Sequence, residues 1–167
     1  DILVNDAGIS PYGTLFTQTL EDLRRTMDVN VTGMFLTARY VAEKMIEQGQ
    51  GGAIVNIAST SGHRGRQGAI AYATSKGAVL QLTRVLSAEL APYYIRVNSV
   101  TPNSSGLSLG SGKSREGTPP QAPLGRWGRT DDQAQAVLFL VSPNADFITG
   151  ADLPVDGGVL SQFMRGG

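Results

Sequence analysis

Short apolar runs rich in β-branched residues, each followed by a long helical pattern, constrain this chain more than any other feature. Ile2 to Asn5, Ala53 to Ala58 (AIVNIA), Ile95 to Val100 and Ile148 to Val155 read as strands. Between the first two, Thr19 fits an N-cap with Asp22 at N3, and the helix runs to about Gln48, where Gly49, Gly51 and Gly52 end it. A second helix is expected from about Ala71 to Ala91, stopped by Pro92. A third opens at Thr130, with Gln133 completing a capping box, and reaches about Val141. Strands alternating with helices predict an α/β fold, a Rossmann-like doubly wound parallel sheet with helices on both faces. Sites in such sheets lie outside the carboxyl ends of the strands. The polar clusters Asn5-Asp6-Ala7-Gly8, Ser59-Thr60-Ser61 and Pro102-Asn103-Ser104-Ser105 all fall at such ends.

The 167 residues are enough for one domain with a sizeable core. Lys plus Arg and Asp plus Glu both count 14, and no basic block stands out, so nucleic acid and anionic membrane are not expected partners. There is no cysteine, which excludes disulfides and thiolate metal sites and fits a cytoplasmic protein. No apolar run reaches the roughly 18 residues of a membrane span, and no signal peptide is visible. The chain opens on a strand pattern without an initiator Met, and reads as a single partial domain over 1–167. Residues 103–129 lack periodicity and are expected to form a flap over the substrate.

Tyr72 and Lys76 stand four apart near a helix start, so they share a face with Cβ atoms about 5–6 Å apart. A free tyrosine titrates near pH 10, and a neighbouring ammonium favours its phenolate. Such a pair can take a proton from an alcohol, or give one to a ketone. The alternative is a half-buried tyrosine beside a solvated lysine. Ser59 ends a strand upstream of Tyr72, where a hydroxyl could steady charge on the same substrate oxygen. Ser61 is a rival for that role, and a plain turn serine is the competing reading. Asn30 lies inside a helix, where Asn is a poor former. It is either a solvent-facing or capping residue, or a buried amide holding a water that links Lys76 to solvent.

In order and spacing, Asn5-Asp6-Ala7-Gly8, Asn30, Ser59, Tyr72-x-x-x-Lys76, Ile148-Thr149-Gly150-Ala151 and Val155-Asp156-Gly157-Gly158 resemble the short-chain dehydrogenase/reductase family. The resemblance runs from residue 1 to about 160. It implies an oxidoreductase using NAD or NADP on a small-molecule alcohol or ketone such as a 3-oxoacyl, sugar or steroid group. It makes Tyr72 the acid/base, Lys76 its modulator and ribose anchor, Ser59 the substrate-oxygen ligand and Asn30 a proton-relay residue. Asn5, Ala7 and Gly8 would line the adenine-ribose side of the cofactor, with Gly8 suited to close backbone approach. Pro102 and Asn103 would lie at the nicotinamide end. Family members pair through their two long helices, so a homodimer or homotetramer is expected. The Tyr72 helix, apolar or small on nearly every face, is expected to be buried all round.

The sequence departs from the family in three places. No Gly-rich turn between a strand and a helix is present to hold a pyrophosphate. By the resemblance, the part not in this sequence would be the family's first three strands and their helices, on the order of 80 residues. That predicts an exposed first strand and weak cofactor binding by these 167 residues alone, with a noncatalytic binding or assembly subunit as the alternative function. Asn103 replaces the usual Gly after Pro102 and is expected to adopt its left-handed backbone. Leu107 stands where a Thr would donate, leaving Ser104, Ser105 or Ser108 as donors. Asp6 replaces a second Asn and is given no role. His63, Arg64 and Arg66 read as solvated loop residues, with no partners for a metal site. Arg126 and Trp127 are expected to pin the flap to the body.

Overall fold

The computed structural model describes residues 1–104 and 122–161. Its strands are β1 (Ile2–Asn5), β2 (Gly52–Ile57), β3 (Ile95–Pro102) and β4 (Asp152–Val155). They pair in the order β1-β2-β3-β4, every pair parallel. Helices α1 (Leu20–Met27), α2 (Gly33–Gln48), α3 (Ile70–Leu90) and α4 (Thr130–Val141) supply the crossovers. Ile54, Ile95 and Val97 pack against Ala42 and Met45 of α2 and Leu86 and Leu90 of α3. Val55 and Val100 face the other way, onto Ala136 and Leu140 of α4. Successive strand residues point to opposite faces, so near-continuous apolar strands are what a sheet covered on both sides requires. The doubly wound α/β reading of the sequence is the observed architecture.

Several local expectations change. Thr19 does cap α1, its hydroxyl accepting from Asp22 N–H at 3.0 Å. The helix it starts runs on through Asp28–Thr32 as a π turn before α2, with Gly33 N–H donating to Asp28 O. Such bulges often mark functional positions, and this one carries Asn30. The N-cap of α4 is Arg129, not Thr130: Asp132 accepts from Arg129 N–H at 2.7 Å, and Arg126 clamps the same carboxylate at 2.6 and 3.0 Å. Arg126 thereby ties the end of the expected flap to α4; residues 105–121, including Ser105, Leu107 and Ser108, lie outside the described residues.

The last strand begins at Asp152, not Ile148. Gly150 has φ 73°, and Asn98 grips the turn by donating to Ile148 O and accepting from Ala151 N–H. The helix α3 is not buried all round, because Gln81, Arg84, Val85, Ala88 and Glu89 face solvent. Its small and apolar residues cover the sheet, and the opposite stripe is polar enough to stay wet in the single chain.

Candidate active site

The π turn points Asn30 inward, where it is fully buried. Its Nδ2 donates to Ile9 O and to Ser75 Oγ, each at 2.9 Å, and its Oδ1 accepts from Ile9 N–H at 2.8 Å. Ser75 Oγ passes the chain on to Tyr72 O at 2.7 Å. Asn30 therefore clips the loop after β1 to the first turns of α3. Both amide hydrogens are spent, so a water could meet this side chain only at the second lone pair of Oδ1.

Lys76 lies beside this clip, 3% exposed. A β-carbon on Gly8 would sit 3.4 Å from Asn30 Oδ1 and 3.7 Å from Lys76 Nζ. Lys76 Nζ donates to Ile57 O, the last residue of β2, at 2.6 Å and stands 5.8 Å from the centroid of the Tyr72 ring. The expected shared face of Tyr72 and Lys76 is thus present, with the tyrosine half-buried. Burial pushes the ammonium pKa down to about 8, and the charge of Asp6 opposes that shift.

Ser59 follows β2 and opens a 3-10 turn over Thr60–Gly62, its Oγ accepting from Ser61 N–H at 3.2 Å. The turn is seated on α3 through Gly62. A β-carbon there would lie 2.7 Å from the carbonyl carbon and oxygen of Lys76 and 2.9 Å from Gly77 N. Only glycine lets the two backbones approach so closely. On the turn's other side, Thr60 Oγ1 donates to Asn103 Oδ1 at 3.3 Å. Ser61 lies within the same turn, equally buried, so the fold brings both serine candidates to α3.

The remaining cofactor candidates divide. Ala7 is exposed and Gly8 and Pro102 are half-buried at strand ends. The Asn5 side chain is held by its neighbours: it donates to Asn56 Oδ1 at 2.9 Å and accepts from Thr37 Oγ1 at 2.6 Å. One hydrogen and one lone pair of that amide remain, but Asn5 is only 7% exposed. Asn103 does not adopt the expected left-handed backbone; Tyr94 alone does among described non-glycine residues. The Asn103 side chain is held by Thr60, which fixes the loop without glycine. A cleft of about 510 Å³ opens beside Asn103 and Ser104 toward Arg126, Asp131 and Gln135, but Ser59, Tyr72 and Lys76 do not line it. Among the described residues no group of His, Asp and Glu is placed to hold a metal, and no helix is long and apolar enough to cross a membrane.

The site fits the ribose part of a nicotinamide cofactor on two observations. An ammonium carries three donors, and among described residues only Ile57 O takes one from Lys76, leaving two for ribose hydroxyls. Gly8 also presents bare backbone beside that ammonium.

Sequence reasoning missed three participants. Ser75 immediately precedes Lys76 and could have been noticed as its neighbour on the helix. Asp6 had been left without a role, yet its charge acts on Lys76. His63 is exposed, as the loop reading expected, yet it is bound at 2.9 Å to Asp152, a pairing across 89 positions that no local pattern signals.

A parallel sheet wound on both faces defines a Rossmann-type α/β domain, and a buried lysine and a tyrosine stand one helical turn apart at its carboxyl end. The sequence matches the family described as enoyl-(acyl carrier protein) reductase over residues 1–160. It is 39% identical over 164 residues to trans-4-hydroxycyclohexanecarboxylate dehydrogenase of Sinomonas cyclohexanicum, covering 95% of this chain and 60% of that protein. Among solved structures it resembles 4-hydroxyisoleucine dehydrogenase complexed with NADH and succinate (TM-score 0.82, 33% identity, 97% of this chain and 69% of that one). It also resembles ElxO with NADP bound (TM-score 0.84, 32% identity, 97% and 68%). The chain belongs to the short-chain dehydrogenase/reductase family. It spans about two thirds of the length of its relatives, 66% and 60% for two of them.

Proposed function

We propose that this chain carries the catalytic part of an NAD- or NADP-dependent oxidoreductase acting on an alcohol or its ketone. The observation behind the proposal is the buried Lys76 ammonium 5.8 Å from the Tyr72 ring, with the Ser59 turn seated on the same stretch of helix. In the oxidative direction the Ser59 hydroxyl and the Tyr72 phenolate bind the substrate hydroxyl, and the phenolate takes its proton as hydride leaves carbon. The nicotinamide, when bound, supplies the hydride acceptor. Before that proton transfer the negative charge of the phenolate faces the Lys76 cation, whose attraction favours the charged form, and after it the phenol is neutral. Lys76 holds the ribose with its two remaining donors. Asn30 and Ser75 keep the start of α3 registered against the loop of Ala7 and Gly8. Pro102 and Asn103 stand toward the nicotinamide, and Asn5 toward the adenosine. Relatives named for cyclic-alcohol and hydroxy-amino-acid oxidation support an alcohol substrate, with 3-oxoacyl, sugar and steroid groups in the same chemical range.

The test is turnover of an alcohol and ketone panel with NAD(H) and NADP(H), using protein from the complete gene. Tyr72→Phe is expected to lower kcat by about 10²–10⁴, the usual worth of a positioned acid/base. Full turnover in that variant would remove Tyr72 from the reaction, and a wild type inert toward every substrate would favour the noncatalytic subunit instead.

A further inference from the structure

The turn that presents Ser59 runs directly into Arg64–Gln67, all exposed. His63 is the residue between them, and its Nε2 lies 2.9 Å from Asp152 Oδ2 at the start of β4. The carboxylate is itself fixed. Its Oδ1 accepts from Ser99 Oγ at 2.6 Å and Thr101 Oγ1 at 2.7 Å, both on β3. A carboxylate only accepts, so Nε2 donates to it. Thr101 Oγ1, 3.3 Å from the same nitrogen, has already given its hydrogen to Asp152.

A polar cluster on a sheet face costs desolvation that an apolar pair would not. What it provides is one geometry. Gly62 fixes the turn against α3, Thr60 fixes it against Asn103, and His63 closes the third side against β4. We infer that His63 and Asp152 form a positioning pair for Ser59, holding its turn at a set distance from the Tyr72 helix and isolating it from the exposed loop. The inference rests on Ser59 binding the substrate oxygen as proposed above.

The experiment is steady-state kinetics of protein from the complete gene, with melting temperatures to verify folding. His63→Ala is expected to lower kcat about tenfold, a change of roughly 1.4 kcal/mol in the barrier, while KM for the nicotinamide cofactor stays within about twofold. His63→Gln, whose amide nitrogen reaches a similar place, is expected to recover most of the loss. Asp152→Ala is expected to match His63→Ala. On the residual activity of Ser59→Ala, adding His63→Ala is expected to change kcat less than about twofold, since groups acting through one contact are not additive. A folded His63→Ala enzyme with unchanged kcat overturns the pairing. So does an undiminished tenfold loss in the Ser59→Ala background, which would mark a general structural effect. If His63→Ala does not fold, Asp152→Ala and His63→Gln decide by the same comparisons. Tyr72→Phe separates the two proposals: its loss of turnover alongside a normal His63→Ala rate defeats the positioning pair alone, whereas retained turnover or an inert wild type defeats both.

Discussion

Lys76 shows how a single residue can be costly to the fold and useful to the site. Burial disfavours its charged form, so its pKa falls from 10.5 to about 8. The unfolded chain keeps this proton up to its ordinary pKa, while the folded chain releases it near 8. Between those values the unfolded state binds more protons, and stability rises with pH. Below pH 8 both states are protonated and the cost is constant, on the order of 3 kcal/mol. Denaturant unfolding at pH 7 and at pH 10 is therefore expected to show wild type gaining about 2 kcal/mol relative to Lys76→Met. Parallel pH curves for the two proteins would mean that the ammonium is not desolvated. Methionine should cost nearly all turnover, because it can neither bind ribose nor face a phenolate.

At the scale of elements, the site depends on close backbone packing and on polar clips between segments. Gly62→Ala would drive a methyl group into the Lys76 carbonyl and Gly77 nitrogen. Overpacking of this kind costs about 1–3 kcal/mol, and a lowered melting temperature together with a lower kcat is expected, since the displaced turn carries Ser59. Arg96 performs a similar service on the far face. Its guanidinium donates to Leu140 O at 2.7 Å and Ser142 O at 3.3 Å, covering carbonyls that the end of α4 leaves open. Arg96→Ala should destabilise by about 1.5–3 kcal/mol, the range for hydrogen bonds to a charged group, with kcat per folded molecule unchanged in thermal-shift and activity measurements.

At the scale of the whole molecule, apolar surface remains uncovered in the single chain. Ile2 and Val4 of the edge strand β1 are 58% and 42% exposed. Phe35, Leu36 and Tyr40 project from α2, and Val85 from α3. A second copy of the chain is the cover we propose for these side chains, the pairing expected from the family resemblance. Light scattering is expected to give a dimer or tetramer, and Leu36→Lys to shift it toward monomer; a monomeric wild type at micromolar concentration would count against that assembly. Calorimetric titration of these 167 residues alone is expected to show weak dinucleotide affinity, because no Gly-rich turn is present to take the pyrophosphate.

The sheet class and the Tyr72–Lys76 face were legible because they depend on local periodicity, as did the Thr19 cap. Alternating strand and helix patterns dictate parallel pairing, and four residues along a helix dictate a shared face. The π turn, the inward swing of Asn30, the Gly62 contact and the His63–Asp152 pair were not legible. Each depends on where a distant segment arrives: Asn30 meets Ser75 and Ile9, and Asp152 meets the turn after β2 only once β3 and β4 are paired. Ile148 misled for the same reason, since its apolar run continued a strand pattern that Gly150 and Asn98 divert into a turn. Local sequence fixed which backbone each segment prefers and which side chains share a face. Only the packed chain decided which polar groups would be buried together, and therefore which lysine would lose its water.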